Sequence, residues 1–409
     1  MKTIFALAVG LVSAASIASG QMSIRRTPGA IIVGSSAGAG WRLKLDLKQG
    51  GVATDFQVPA SGPNLTYGRG WWTGLFNVYV GGGKPAPSGA AEPGEIERLQ
   101  LKGNGRVDMA RVLASSPTRI VVEVNGHACG WGNYGRTGET VIEYRHRFLF
   151  EPRQIGFHGE VTWVCGHGTK PDDLELEDNF APHAVQWPIR LVGADGRARD
   201  LEVAGSDGEA FPPGVGYPAT AQIWFRGGAC ILLRTEEVPP EWRAHPWLLY
   251  ERPWQRSWKQ VFGFAGEADL PPARRWYPAH TPLRYGYSIR IPSSAPAGAP
   301  PEVHIVSPVR GSDFFKDPDI DVYSALRYSV GETVRLAAVA QDANGCCLPS
   351  SAFHWSINWG ANHRAATGAG SQIFFTLPRS KAKFYWIEVS ARDSQGSVGE
   401  DYITFKVAK

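Results

Sequence analysis

The chain has 409 residues, which at about 150 residues per domain amounts to two or three domains. Its 42 Lys and Arg against 38 Asp and Glu leave a net charge of +4, too even for a nucleic-acid scaffold or a polybasic membrane binder. Hydrophobic residues at 43% can fill a sizeable core and exclude general disorder, while 48 Gly and 30 Pro argue for a turn-rich chain rather than a helical bundle.

The amino terminus reads as a secretory signal. Lys2 supplies a positive start, Ile4–Val12 an apolar stretch, and Ala18-Ser19-Gly20 the small residues that suit cleavage before Gln21. The stretch is too short to span a membrane, and no later run of about 18 apolar residues follows. Residues 1–20 are therefore expected to be a signal peptide, and the mature protein to be secreted, periplasmic or extracellular, without an integral membrane segment. Five cysteines follow: Cys129, Cys165, Cys230, Cys346 and Cys347. An odd count in an exported chain leaves at least one thiol unpaired or paired between chains, and a Cys129–Cys165 bridge stays open. Their spacing fits no zinc motif.

Residues 21–291 read as one large all-β domain. Trp41–Leu47 alternates strictly, and Arg119–Val124, Val141–Phe150, Ile155–Trp163, Ile223–Leu233 and Tyr285–Ile291 continue the series. Glycine-rich turns such as Gly81-Gly82-Gly83 separate the strands. No helical stripe of about 12 residues interrupts them, so this stretch implies a large sandwich or barrel. Residues 292–301, Pro292 to Pro301, combine small residues with prolines into a semi-stiff linker. Residues 302–409 form a second unit, with strands expected at Val303–Val306, Thr333–Ala340, Phe353–Ile357, Gln372–Leu377, Tyr385–Ala391 and Tyr402–Val407. Turns at Gln341–Gly345 and Arg392–Gly396 complete the pattern of a small β-sandwich.

Two resemblances follow. Arg111–Leu113, Thr118–Val124, Tyr144–Pro152 and Ile155–Phe157, with Gly50-Gly51 after an alternating strand, resemble the strand series and "rGG" turn of galactose-mutarotase-like β-supersandwiches. That resemblance covers residues 31–291 and implies a β-supersandwich of the kind found in mutarotases, glycoside hydrolases and polysaccharide lyases. Residues 302–409 resemble immunoglobulin-like modules of the cadherin and PKD types, with Trp355 as the central core indole. This unit lacks a full set of calcium ligands, so calcium is not carried over to it. The fold class expected is all-β: a large β-supersandwich plus a small immunoglobulin-like β-sandwich.

Three constellations could carry chemistry. The run Asp172–His183 holds five carboxylates, oxygen ligands of the kind calcium takes, but it matches no fixed ligand spacing and reads rather as a solvated acidic loop. By chain order the mutarotase resemblance implies a catalytic role for His183; Ala184-Val185 stand where that family carries an aromatic pair, which places the mutarotase reaction itself in doubt. The polar loop His127–Arg136 brings together His127, Asn133, Tyr134 and Arg136, the residue types a polysaccharide lyase uses as base, acid and carboxylate neutraliser, though an exposed hairpin explains them too. Finally, Trp242, Trp247, Trp254, Trp258 and Trp276 interleave with Arg243, Arg252, Arg256, Arg274 and Arg275. Indole faces stack on sugar C–H faces and guanidinium forks grip carboxylates, or the same indoles pack a satellite core.

No G-x-S-x-G elbow, P-loop or H-E-x-x-H is present. Paired carboxylates for glycoside hydrolysis could include Glu160, Asp178, Glu251 or Glu267. The expected function is action on an extracellular polysaccharide by eliminative cleavage of an acidic glycan. Tyr134 and His183 would be acid and base in either order, with Arg136 and Asn133 neutralising the uronate. Trp242, Trp247, Trp254, Trp258, Arg252 and Arg256 would hold flanking sugars. One alternative is a non-catalytic glycan-binding or cell-surface structural protein. Another is a mutarotase-like epimerase, which wants a pocket where a His and a carboxylate face each other. No cofactor is implied beyond an optional calcium ion, and no nucleic-acid partner is expected.

Overall fold

The structure is a computed structural model that describes residues 20–38, 40–66, 74–85, 91–129, 140–164, 167–168, 174–177, 180, 185–193, 196–201, 220–237, 246–250, 258–262, 276–277, 280, 282–293, 298–309, 315–316, 321–322, 326–359, 363–379 and 384–408. It is all-β. An opening meander consists of β1 (Met22–Thr27), β2 (Ala30–Ser35), β3 (Trp41–Asp46) and β4 (Val52–Gln57). Then come β5 (Asn77–Pro85), β6 (Ala91–Gln100), β7 (Gly105–Ser115), β8 (Ile120–Cys129), β9 (Thr140–Glu151), β10 (Gln154–Trp163), β11 (His167–Gly168) and β12 (Leu174–Glu177). The series continues through β13 (Val185–Val192), β14 (Ala198–Leu201), β15 (Thr220–Phe225), β16 (Cys230–Glu237), β17 (Pro246–Tyr250), β18 (Trp258–Phe262), β19 (Trp276–Tyr277) and β20 (Pro282–Arg290). The last third holds β21 (Glu302–Ser307), β22 (Phe315–Lys316), β23 (Asp321–Val322), β24 (Arg327–Ser329), β25 (Thr333–Gln341), β26 (Phe353–Trp359), β27 (His363–Ala369), β28 (Gln372–Thr376), β29 (Phe384–Arg392) and β30 (Val398–Ala408). Among the described residues no helix is long and apolar enough to cross a membrane.

One sheet organises the molecule, in the order β27-β26-β29-β30-β13-β15-β16-β20-β10-β9-β8-β7. Strict alternation along its strands sorts side chains between two faces. On one face Val122, Val124, Ile142, Tyr144, His146, Phe148, Phe150, Ile155, Phe157, Tyr285, Tyr287 and Ile289 are all buried. The β1–β4 meander joins the same core: Trp41 Nε1 and Ser35 Oγ donate to the Pro152 carbonyl at 3.0 and 2.8 Å, and the Trp41 ring lies 6.0 Å from Phe150. Phe76 sits at the centre, its ring 4.8 Å from Phe157, 5.2 Å from Phe148 and 5.3 Å from Tyr287. Its backbone is left-handed, φ 64, a conformation that costs a bulky residue about 1–3 kcal/mol. Three ring contacts in a fully buried site help to hold it there.

Two glycines open space for two tyrosines. Gly126 pairs in register with Tyr144, and Gly159 with Tyr285. A Cβ on Gly126 would strike the Tyr144 ring and the Arg106 carbonyl, and one on Gly159 would strike the Tyr285 ring. Each ring lies across its glycine partner, so the missing side chain is a packing requirement. Near the first turn, Gly50 and Gly51 adopt φ 68 and φ 78 after β3, as the resemblance to a double-glycine turn implies, and a Cβ on Gly51 would come within 2.9 Å of Val124.

Two expectations are corrected. Gly81-Gly82-Gly83, expected as a turn, lies inside β5, where Gly81 and Gly82 pair with Arg98 and Glu97 of β6 and Gly83 with both Ile96 and Gly168 of β11. Backbone pairing, on both sides at Gly83, holds the glycines extended against their entropy. Conversely, Ile223–Leu233 is not one strand: Arg226–Ala229 form a turn between β15 and β16, with Gly227 at φ 85 and Gly228 at φ 82.

In residues 302–409 the sheet β21-β25-β28 and the strands β27-β26-β29-β30, with β24 parallel to β30, share a second core. Trp355 is fully buried there, its Nε1 donating to the Gly370 carbonyl at 2.8 Å. The segment 292–301 is tied down at its far end, where Pro300 and Pro301 are buried and their carbonyls accept from Gln186 Nε2 at 2.7 and 2.5 Å.

Gly159→Ala and Gly126→Ala are each expected to cost about 1–3 kcal/mol in denaturant unfolding, the range for overpacking. Gly156→Ala, on the same strand but with its nearest neighbour at an ordinary 3.5 Å, is expected to unfold with an almost unchanged midpoint.

Candidate functional site

The opposite face of β7, β8, β9 and β10 is polar, and it carries a cavity of about 410 Å³ lined by Asp108, His127, Glu143, Arg145, Glu160 and Thr162 among others. Register explains the lining. His127 pairs with Glu143, and Glu143 with Thr162, forming one row across three strands. Two residues along, Asn125 pairs with Arg145, Arg145 with Glu160, and Glu160 with Arg284 of β20. Side chains in such rows stand about 5 Å apart at Cβ on the same face.

Asp108 joins by a different device. The β7–β8 register shifts between Val107 and Met109, so Asp108 is an extra residue in the edge strand. A bulge of this kind re-aims a side chain. Here it brings Asp108 Oδ2 to 2.9 Å from His127 Nδ1. The carboxylate fixes the hydrogen on Nδ1 and leaves Nε2 as the nitrogen that can take or give a proton. His127 is 30% exposed and Asp108 58%, so the pair is reachable from solvent.

The second row is a ladder of ion pairs. Glu123 Oε2, on a side chain only 9% exposed, accepts from Arg145 Nη2 at 2.8 Å and Nε at 3.1 Å. Arg284 Nε donates to Glu160 Oε2 at 2.9 Å. Further along, His158 Nδ1 lies 3.6 Å from Glu237. Glu143, by contrast, has no ion pair among the described residues. The described lining therefore carries three carboxylates, Asp108, Glu143 and Glu160, against one guanidinium, Arg145, whose charge is already matched by Glu123.

Behind the site, on the core face, His146 Nε2 lies 2.9 Å from Tyr285 Oη, and the Tyr144 hydroxyl donates to the Arg106 carbonyl at 3.3 Å. Burial pushes the His146 imidazole down to about 3, so it is neutral, and pushes both tyrosine hydroxyls well above their ordinary range. These groups stiffen the floor of the cavity and do not titrate in it. A free thiol, Cys129, ends β8 beside the cavity, and Cys230, Cys346 and Cys347 are also free. Among the described residues no three His, Cys, Asp or Glu side chains are placed to hold a metal ion.

Of the residues singled out from sequence, His127 and Glu160 line the cavity, and most of the others are not described. Asn133, Tyr134, Arg136, His183, Cys165, Trp242, Trp254, Arg252 and Arg256 fall outside the described residues, as do Asp172, Asp173 and Asp178 of the acidic run. The segment 130–139, which carries Asn133, Tyr134 and Arg136, joins Cys129 to Thr140, and those two residues pair at the ends of the strands that bear His127 and Glu143. Trp247 and Trp258 lie in the two-stranded ribbon β17-β18, where Trp247 pairs with Val261 and Tyr250 with Trp258; positions 247 and 258 thus have opposite parity. Asp108, Glu143 and Arg145 were not readable as a group. Glu143 follows from alternation once the β8–β9 register is known, whereas the bulge that places Asp108 leaves no sequence signal.

His146 sets a pH dependence of stability. Its folded value, about 3, lies below the ordinary 6.5, so as pH falls through that window the unfolded chain takes up a proton that the folded one refuses, and stability is lost. Urea unfolding between about pH 7 and pH 4 is expected to show a slope of up to about 1.4 kcal/mol per pH unit from this group, absent in His146→Gln.

No protein-family model and no curated protein matches this sequence. Among solved structures, the chain is similar to galactose 1-epimerase from Lactobacillus acidophilus, with TM-score 0.36, 8% identity, and coverage of 67% of this chain and 99% of the other. It is similar to a galactose mutarotase related enzyme from the same organism, with TM-score 0.33, 9% identity, and coverage of 67% and 98%. For heparinase III the TM-score is 0.36 with 9% identity, and the match takes in 81% of this chain but 42% of that one. Likeness at these scores bears no weight on function, which rests on the chain's own residues.

Proposed function

We propose that this protein binds a carbohydrate outside the cell and performs acid–base proton transfer on it between His127 and Glu143. The observation that carries this reading is their placement: a His oriented by Asp108 and a carboxylate without an ion pair among the described residues, paired in register on one wall of a small polar cavity. At about 410 Å³ the cavity falls at the small end of ligand pockets, which run roughly 300–1,000 Å³. Hydroxyl-rich sugars suit its donors and acceptors. The excess of carboxylates in the described lining suits a neutral ring better than an anionic one.

The chemistry balances without a cofactor. Glu143 takes the proton of an anomeric hydroxyl while His127 Nε2 gives one to the ring oxygen. The ring C–O bond breaks, the open-chain aldehyde turns, and closure on its other face returns both protons. Asp108 keeps the imidazole in the orientation this needs. The amino-terminal apolar stretch supports the extracellular setting.

Eliminative cleavage of an acidic glycan is the second reading. It is favoured by one observation: the segment bearing Asn133, Tyr134 and Arg136 begins and ends at the cavity strands. In that reading Arg136 and Asn133 supply the carboxylate neutralisation that Arg145, bonded to Glu123, does not. An immunoglobulin-like role for residues 302–409, as a spacer or docking module, accompanies either reading.

The test is a paired assay on the mature chain. Anomeric exchange of neutral sugars is followed by polarimetry, and unsaturated uronate release from acidic glycans by ultraviolet absorbance. Polarimetric activity that falls about 10²–10⁴-fold in His127→Ala and in Glu143→Gln supports proton transfer on a neutral sugar. Uronate release lost in Tyr134→Phe and Arg136→Ala shifts the assignment to elimination. Activity in either assay that survives His127→Ala unchanged overturns the role given to this residue.

Asp108→Asn is expected to lower kcat by a larger factor than it changes KM, because its main effect is on the tautomer His127 presents. Steady-state kinetics of that variant against His127→Ala checks the pairing.

A further inference from the structure

We infer that Arg226 and His304 form an acid-released latch that fastens the sandwich of residues 302–409 to the large β-domain. The seam between the two is thin at the backbone. In the long sheet β13 meets β30 through one register pair, Trp187 with Glu400. Side chains carry the rest of the attachment: Trp386 and Tyr402 are buried with the core of the large domain, and a group of hydrogen bonds converges on Arg226 in the turn between β15 and β16.

The Arg226 side chain is 16% exposed. Its Nη1 donates to the Val303 carbonyl at 2.7 Å and to His304 Nδ1 at 2.6 Å, both on β21. Its Nη2 donates to Asp401 Oδ1 on β30. Asp401 is itself buried and accepts from the Ile305 and Tyr402 amides, each at 2.7 Å. Next to Arg226, the Gly227 amide donates to Glu302 Oε1 at 3.1 Å. Beyond this group, Gln186 bonds the Pro300 and Pro301 carbonyls, and Gly399 leaves no room for a Cβ against Pro301.

These bonds dictate the state of His304. A guanidinium only donates, so Nδ1 must accept. The ring hydrogen then sits on Nε2, which faces Glu302 Oε1 at 2.7 Å. The circuit Arg226–His304–Glu302–Gly227 closes only with a neutral imidazole. A proton added at Nδ1 turns the acceptor into a donor and sets two cations against each other 2.6 Å apart.

Among the described residues, the charged groups facing His304 are Arg226 from the turn, Glu302 from its own strand and, through Arg226, Asp401 from β30; β25 presents Val339 opposite it. Glu302 favours the imidazolium, but it already accepts from Nε2 and from Gly227, so protonation adds no new bond there. Its carboxyl is held below the usual range, first by the His304 hydrogen bond. Its own protonation at lower pH therefore acts in the same direction, removing the acceptor that Gly227 and His304 use.

Amide hydrogen exchange on the full chain tests this. The reporters are Gly227, Ile305 and Tyr402, whose amides bond into the latch, with Ile387 and Val389 in the core of the smaller sandwich as controls. Between about pH 8 and pH 5, after correction for intrinsic exchange, the reporters are expected to lose about tenfold protection or more relative to the controls. His304→Gln, whose amide can accept from Arg226 and donate to Glu302 without titrating, is expected to abolish the difference. In the unaltered chain, the release midpoint is expected to coincide with the ring titration of His304 followed by NMR. No pH difference in the reporters, an equal difference in His304→Gln, or a midpoint apart from the ring titration would each overturn the latch. A difference lost in Glu302→Gln and kept in His304→Gln would move the switch to the carboxylate and overturn it likewise.

Discussion

The strand register of β8, β9, β10 and β20 is the constraint on which the rest depends. Side chains alternate with period two, so a slip of one residue would exchange the two faces of the sheet. One face carries Tyr144, His146, Phe148, Phe157, Tyr285 and Tyr287 into a close-packed aromatic core; the other carries Arg145, Glu160 and Arg284 to the surface, with Glu123 buried against Arg145. Neither set tolerates the other's surroundings. The glycine–tyrosine pairs lock the same register sterically, since each ring fits only where its partner strand lacks a side chain. Hydrophobic burial and steric exclusion thus select one alignment, and the cavity is a product of that alignment.

Within the cavity, charge is arranged economically. Arg145 and Arg284 are held by Glu123 and Glu160, so the ladder resembles a rigid wall more than a set of free cations. Exposed ion pairs of this sort contribute little to stability individually, but a network restricts side-chain freedom. What remains uncommitted is the His127–Glu143 row, and the bulge at Asp108 adds orientation to it. A polar surface with most charges tied and this His and carboxylate left accessible is what the proposed acid–base role rests on.

Much of this architecture can be read along the chain, because alternation is a local property. The apolar parity of Ile120 to Val124 and of Ile142 to Phe150 marks β8 and β9 in the sequence itself. Gly50-Gly51 and Trp355 are likewise legible, the former as a turn requirement and the latter as a large indole among small alternating strands. Of the cavity, only His127 and Glu160 stand out from sequence. Glu143, the partner of His127, depends on how the 130–139 segment closes, and Asp108 on a bulge. The latch pairs Arg226 with Asp401 at a separation of 175 positions, and His146 meets Tyr285 at 139. Such contacts have no local signature. Composition also misleads where pairing overrides it: Gly81-Gly82-Gly83 is extended because two neighbouring strands bond to it.

The bulge in β7 has a second effect, on solubility. This strand ends the long sheet and exposes Val112 and Leu113. A straight apolar edge of eleven residues would offer a template for pairing with another copy of the chain. Register shifts at Val107/Met109 and at Val112/Ala114 break the row of free amides and carbonyls twice, while Arg106, Asp108 and Arg111 place charge along it. The irregularity that aims one carboxylate at His127 also interrupts the edge, so straightening β7 would lengthen a pairing template as it removed the Asp108–His127 contact.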